Sequence, residues 1–272
     1  MNYCTMKSLK LVPQNTLKNI RCVFTDIDDT LTNDGYLTAK AYQAMESLDD
    51  AGIKVVPVTG RPAGWCDLIA RLWPVSGVVG ENGAFFFQYD RERKAMLRHY
   101  ADGEAERIAK REKLNTLAQE IISMVPGAAI SADQFCRETD LAIDFAEDIP
   151  KLEDKLINQI VSIFEIHGAT AKVSSIHVNG WFGNYDKLTM TRDFADICLN
   201  TDLDQHRDDY IFVGDSPNDA PMFDYFPNSI GVANLRDFTD RLKILPTYIT
   251  EHSGGIGFAE VAESLIQSRN EL

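Results

Sequence analysis

Basic residues are in short supply: 27 Lys and Arg stand against 41 Asp and Glu, a net charge of −14 over 272 residues. No basic patch stands out to neutralise a phosphate backbone, so a nucleic-acid partner is not expected. Long apolar runs are missing too. None approaches the ~20 residues that span a bilayer, so no membrane partner is expected either. The first 19 residues lack the apolar stretch of a secretory leader and read as a poorly committed N-terminus, with Met6 as an alternative start. Cysteine is scarce and odd in number: Cys4, Cys22, Cys66, Cys136 and Cys198 are scattered, with no CxxC spacing. That argues against a disulfide framework or a zinc site and fits reduced thiols in the cytoplasm. Internal repeats and low-complexity tracts are absent. At 44% hydrophobic residues the chain can bury a sizeable core without covalent staples.

What is present is an alternation of short apolar runs with helical periodicity. RCVFT, IKVVPVTG, SGVVG and, far downstream, YIFVG read as buried parallel strands. Helices are expected from Thr38 to Ala51, from Pro62, from Asp186 to about Leu199, from Pro217 and from Gly255 to about Ser268. Between residues 84 and 183 the texture changes. AFFFQY, Met96–Tyr100, DLAIDF and TAKVSSIHVNGW read as strands of a half-exposed antiparallel sheet, with helices from Glu104 to Met124 and over LEDKLINQIVSIFEIHG. The expected fold is α/β, a doubly wound, Rossmann-like parallel sheet from residues 1–83 and 184–272, with an α+β unit inserted at 84–183.

Three apolar strands end in polar residues: TDIDDT, VTGRP and GDSPND. Ligands bind at the carboxyl ends of strands in open parallel sheets, so these loops are expected to converge. Asp26, Asp28, Asp29, Asp215 and Asp219 would then crowd together and repel without a counter-charge. A hard dication, Mg²⁺, that also takes a substrate phosphate answers that need. Asp26 and Asp28, two apart on extended chain, would flank one reacting centre, one as nucleophile and the other as acid and base. Thr59, Gly60 and Arg61 end the second strand, where a hydroxyl and free N–H groups can hold phosphoryl oxygens. Lys187 opens the helix after the insertion and can offer local positive charge. Each piece has a plainer alternative: an acidic turn, a turn before a helix, an N-cap on Ser216 or Asn218, a solvated lysine.

Taken in order, the four pieces resemble the haloacid dehalogenase superfamily of phosphotransferases. TDIDDT matches the first motif at Asp26, Asp28 and Thr30, Thr59 the second, Lys187 in NYDK the third, and GDSPND the fourth at Asp215, Asn218 and Asp219. The long gap before Lys187 resembles the large cap of subclass IIB. ENGA (with Asn82), GVAN and SGGIGFAEV are similar to its sugar-phosphatase-like members. The resemblance implies that Asp26 attacks phosphorus and binds Mg²⁺. Asp28 would be acid then base, its backbone carbonyl also meeting the metal. Thr59 and Lys187 would orient the phosphoryl oxygens, with Asp215 a metal ligand and Asp219 a ligand or its anchor. Asp29 stands where many relatives have glycine, and Leu188 follows the lysine where glycine is common.

The implied activity is hydrolysis of a small phosphorylated metabolite, a sugar phosphate. Ser175, His177, Asn179 and Trp181 would share one face of a cap strand and offer hydrogen bonds beside an aromatic ring. They could equally line a sheet packed on cap helices. CRETD, with Arg137, loosely resembles a segment of phosphatases acting on sucrose- or mannosyl-type phosphates. A phosphomutase of the same superfamily and a non-catalytic binding protein on the same scaffold are the alternatives.

Overall fold

The computed structural model describes residues 6–270 apart from Ser175 and Lys243. Cys4 and the Ser175 position of the cap strand thus fall outside the described residues. Six strands form a parallel sheet in the spatial order Lys7–Ser8, Tyr248–Ile249, Ile230–Gly231, Tyr210–Gly214, Cys22–Thr25 and Lys54–Pro57. The inner strands are apolar throughout because helices cover both faces. On one face Val23, Val55 and Ile211 pack with Met45 of helix Ala39–Asp50 and Phe258 and Leu265 of helix Gly254–Asn270. On the other, Phe24, Val56 and Phe212 meet Met190 and Phe194 of helix Lys187–Leu199. The sheet is doubly wound, as its sequence pattern indicates.

The N-terminal segment is more committed than its composition suggests. Lys7–Ser8 pairs with Tyr248–Ile249, and Leu9, Val12, Leu17 and Ile20 are buried. These four apolar side chains are too widely spaced to register as an apolar run, yet each reaches the core.

A bridge between Val58 and Val79 extends the sheet edge to strand Val78–Gly80. The hairpin Phe85–Asp90 and Ala95–Tyr100 continues it antiparallel. The expected boundary at residue 84 therefore falls just before a hairpin whose rings pack with the parallel sheet. Phe85 and Phe87 stack at 4.4 Å on one side, and Phe86 meets Phe194 edge-on at 5.2 Å on the other. With both faces covered, three consecutive phenylalanines satisfy the strand, and its sequence shows no alternation.

Beyond Tyr100 the chain builds a second sheet, all antiparallel, in the order Thr170–Val173, His177–Trp181, Leu141–Asp144 and Ala129–Ile130. TAKVSSIHVNGW is thus two strands and a turn. Helices Glu104–Met124 and Asp154–Ile166 cover one face, where Leu114, Ile121, Ile160 and Phe164 meet Leu141, Ile143 and Val178. The middle of the other face is more covered than its alternation suggests, since Ala142, Asp144, His177 and Asn179 are all buried, while Lys172 on the outer strand stays exposed. The loops at the carboxyl ends of the parallel sheet cover His177 and Asn179.

The outgoing and returning chains meet at one point. The Ala101 N–H donates to the Ala84 carbonyl at 2.9 Å. Gly83, at φ 102°, lies so close to the returning chain that a Cβ there would stand 1.9 Å from the Asp186 carbonyl oxygen. Only glycine fits. No helix among the described residues is long and apolar enough to cross a membrane, and the four described cysteines are unpaired.

Candidate active site

Asp26 follows strand Cys22–Thr25 directly, and Asp215 follows strand Tyr210–Gly214. The Asp26 N–H donates to the Val213 carbonyl at 2.9 Å, so the two neighbouring strands present their aspartates side by side. Lys187 is the first residue of its helix, behind Asp186 as N-cap. Its Nζ lies 2.7 Å from Asp219 Oδ1 and 3.1 Å from Asp26 Oδ1. Asp219 also accepts the Asp215 N–H at 3.2 Å, while Thr30 donates its hydroxyl to Asp215 at 3.1 Å. Carboxylate oxygens of Asp26, Asp215 and Asp219 lie within 4.8 Å of one another, all buried.

Three buried carboxylates facing one ammonium leave an excess of negative charge. Burial, reinforced by the neighbouring aspartates, pushes Asp26 up to about 7 and Asp215 well above the usual carboxylate range, Lys187 pulling Asp26 back. Burial pulls Lys187 down, but Asp219 and Asp26 outweigh it and hold it above its ordinary value. An all-oxygen donor set with surplus negative charge fits a hard dication, so the trio suits Mg²⁺.

The Asp28 side chain stands outside this trio. Its carboxylate takes the Arg61 fork, with Nη2 at 2.8 Å and Nε at 3.0 Å. Asp29 adopts φ 56°, the left-handed region that explains why glycine is common there; aspartate tolerates it. Thr59 is fully buried and its hydroxyl accepts the Arg61 N–H at 3.1 Å. Asp26, Asp28, Gly60, Arg61, Asn82, Arg137, His177, Asn179, Asp215 and Asn218 converge on one closed cavity of about 20 Å³. Thr30, Thr59, Lys187 and Asp219 stand behind that wall.

Within the cavity the polar groups differ in availability. Asn82 Nδ2 is buried without a partner, beside Gly60. Such an orphaned donor points to a ligand acceptor. Asn179 donates to Asp140 at 2.9 Å, and Asn218 accepts the Ser216 hydroxyl at 2.6 Å. Arg137 is taken up entirely by neighbours: Asp133 at 2.9 Å, Asp140 at 3.0 Å and the Gly60 carbonyl at 2.9 Å. It ties the inserted unit to the TGRP loop. Trp181 turns away from the cavity and stacks on Tyr185 at 5.9 Å.

Three residues of the site escaped the sequence reading. Glu81, fully buried at φ 42°, accepts backbone N–H groups from Ala63 at 2.9 Å and Glu138 at 2.8 Å, and from Thr139 and Asp140. Burial, with Asp140 close by, pushes its carboxyl up to about 7; every partner is a donor, which suits the carboxylate form. Glu147 reaches Arg61 Nη1 at 3.0 Å and His177 Nε2 at 2.9 Å. Asn234 donates to the Asp29 carbonyl at 3.0 Å and to Asp215 at 3.4 Å. Glu81 and Asn234 lie inside the ENGA and GVAN runs, so attention to whole motifs would have found them. Glu147, in AEDIP, carried no signal.

Residues 23–122 match a family model described as haloacid dehalogenase-like hydrolase. Over that segment the chain is similar to the haloacid dehalogenase-like hydrolases. A phosphoglycolate phosphatase from Methanosarcina mazei is 27% identical over 90% of this chain and 96% of its own. A solved Thermoplasma acidophilum protein shares its fold with a TM-score of 0.70, at 19% identity over 91% of this chain and 98% of that one. The sucrose-phosphatase of Synechocystis superposes with a TM-score of 0.63 at 14% identity, over 92% and 98% of the two chains. The reading of the chain as a phosphatase-type enzyme agrees with the names these relatives carry.

Proposed function

We propose that this protein is a Mg²⁺-dependent phosphomonoesterase that cleaves a small phosphorylated metabolite, a sugar phosphate, through an aspartyl-phosphate on Asp26. The observation that carries the reading is the junction of Lys187 with Asp26 and Asp219, beside Asp215, at the ends of two adjacent parallel strands. Asp26, Asp215 and Asp219 would hold the ion, with the Asp28 backbone carbonyl. Bound there, Mg²⁺ would offset the carboxylate charge and that of the phosphoryl oxygens.

In the first step an Asp26 carboxylate oxygen attacks phosphorus and the ester P–O bond breaks. Asp28 gives its proton to the departing alkoxide. Asp28, now a carboxylate, takes a proton from water as that water attacks phosphorus. The acyl-phosphate bond breaks, returning Asp26 and releasing phosphate. Lys187 and Thr59 orient the phosphoryl oxygens, and the orphaned Asn82 amide supplies a further donor. The inserted unit would act as a cap, and the packing of hairpin 85–100 with the parallel sheet supports counting the cap from near residue 101. The unpaired thiols of the four described cysteines favour a cytoplasmic setting.

The test is phosphate release from a panel of sugar, nucleotide and short-chain phosphates, with Mg²⁺ or EDTA, for wild type and Asp26→Asn. Magnesium-dependent release that vanishes in the variant supports the reading; release retained by Asp26→Asn sinks it. A rearranged phosphate ester in place of free phosphate would favour a mutase.

A further inference from the structure

The leaving-group side of the cavity holds cations, but each is already matched by an acid. Arg61 is clamped by Asp28 on one edge of its fork and by Glu147 on the other. Its side chain is 6% exposed, so it has no solvent to turn towards. Arg137 lies between Asp133 and Asp140. His177, also buried, has Nε2 2.9 Å from the second oxygen of Glu147, a charge contact in a geometry that makes no hydrogen bond. Glu147 thus engages two of the three basic side chains that wall the cavity, although it does not line the cavity itself. Apart from the carboxyl groups of Asp26, Asp28 and Asp215, the remaining polar wall is neutral: the amides of Asn82, Asn179 and Asn218 and the hydroxyls of Ser174 and Ser216.

A leaving group bearing a carboxylate would need a free cation on this wall. Finding none among the described residues, it would place its charge near Glu147 and be desolvated without compensation. An uncharged polyol meets amides and hydroxyls that donate and accept. We propose that Glu147 is a specificity-determining residue, which holds Arg61 and His177 so that the site rejects carboxylate-bearing phosphate esters and accepts uncharged polyol ones. This inference rests on the phosphatase reading and sharpens it. It also separates this chain from relatives whose names specify phosphoglycolate.

Removing the Glu147 charge leaves Arg61 Nη1 with only Asp133, at 3.7 Å, and opens it and the imidazole of His177 to an anion. The experiment measures kcat/KM for 2-phosphoglycolate and for glycerol phosphate and glucose 6-phosphate, in wild type and Glu147→Gln. Wild type should favour the polyol esters by at least about tenfold, and Glu147→Gln should narrow that ratio by about tenfold or more. A purely structural role for Glu147 would lower all the rates together and leave the ratio alone. Should Glu147→Gln prove unstable, Glu147→Asp keeps the charge but is too short to reach both partners, and the same narrowing is expected. Wild-type preference for phosphoglycolate, or an unchanged ratio in a folded variant, overturns the inference while the phosphatase reading stands. Absence of turnover on every ester removes that reading, and this inference with it.

Discussion

Glu81 and Thr139 are joined twice: the Thr139 N–H and its hydroxyl both donate to the same Glu81 carboxylate oxygen, the N–H at 2.6 Å. The other oxygen receives the Ala63 N–H at the start of a sheet-covering helix. One buried carboxylate therefore fastens the inserted unit to the parallel-sheet unit, and its left-handed backbone shows local strain kept at a junction.

Glu81→Gln should break this joint. Glutamine presents an NH₂ where two acceptor lone pairs were needed, leaving buried donors face to face. Such a loss costs about 2–4 kcal/mol, counting one or two unsatisfied groups. Urea unfolding read by circular dichroism measures it; a midpoint equal to wild type would show the joint to be inert.

Lys187→Ala leaves Asp26, Asp215 and Asp219 without their ammonium. Removal of one preorganised charge at the reacting phosphoryl group should lower kcat by about 10²–10³, with a smaller change in KM. Steady-state rates at saturating Mg²⁺ decide this.

Asp215→Asn should change stability in opposite senses with and without metal. Without Mg²⁺ it relieves repulsion among buried carboxylates, so the variant should melt higher than wild type. Adding Mg²⁺ should raise the wild-type melting temperature and leave the variant's unchanged, since only a folded state that binds the ion gains from it. Thermal melts in EDTA and in Mg²⁺ provide the comparison.

Glu147 makes stability fall in acid. His177, and then Arg61, hold its carboxyl down at about 2, below its ordinary 4.5, against the opposing pull of burial. A depressed folded-state value stabilises above the unfolded one, so the contribution is whole above pH 4.5 and is lost as pH falls towards 2. After allowance for its 28% exposure, the loss should be about 2 kcal/mol. Urea titrations from pH 6 to 2 should show a shallower decline for Glu147→Gln than for wild type.

Gly64→Ala bears on closure. A Cβ there would stand 2.7 Å from the Cβ of Cys136, so the loop carrying Cys136 and Arg137 must lift from helix Ala63–Leu72. A cavity of about 20 Å³ holds little more than one water, so the substrate must enter an opened form and be enclosed. The variant should keep its fold and lose kcat/KM by about tenfold or more. Unchanged kinetics would show that this contact does not govern closure.

Much of the parallel sheet was legible because both its faces are buried: CVFT, KVVP and YIFVG are continuous apolar runs, and each ends in the polar residues now found together. The hairpin at Phe85 was legible as strand but not as part of that sheet, since three phenylalanines do not say which side covers them. Lys7–Ser8 is too short to carry a pattern. Asp26, Asp215 and Lys187 were legible through order along the chain. Arg137 was singled out as a substrate contact, yet the residues that take up its donors, Asp133 and Asp140, lie within four positions and read as ordinary surface acids. Glu147 acts only through contacts that folding brings across more than 80 residues to Arg61.

The meeting of Ala84 with Ala101, and of Gly83 with Asp186, has a consequence for descent. The chain between the two crossings leaves and rejoins the sheet unit at a single spot on its edge. A stretch of coding sequence could be spliced in or out there while every parallel strand kept its neighbours, so lineages could have diversified by trading lids at this seam while inheriting the floor unchanged.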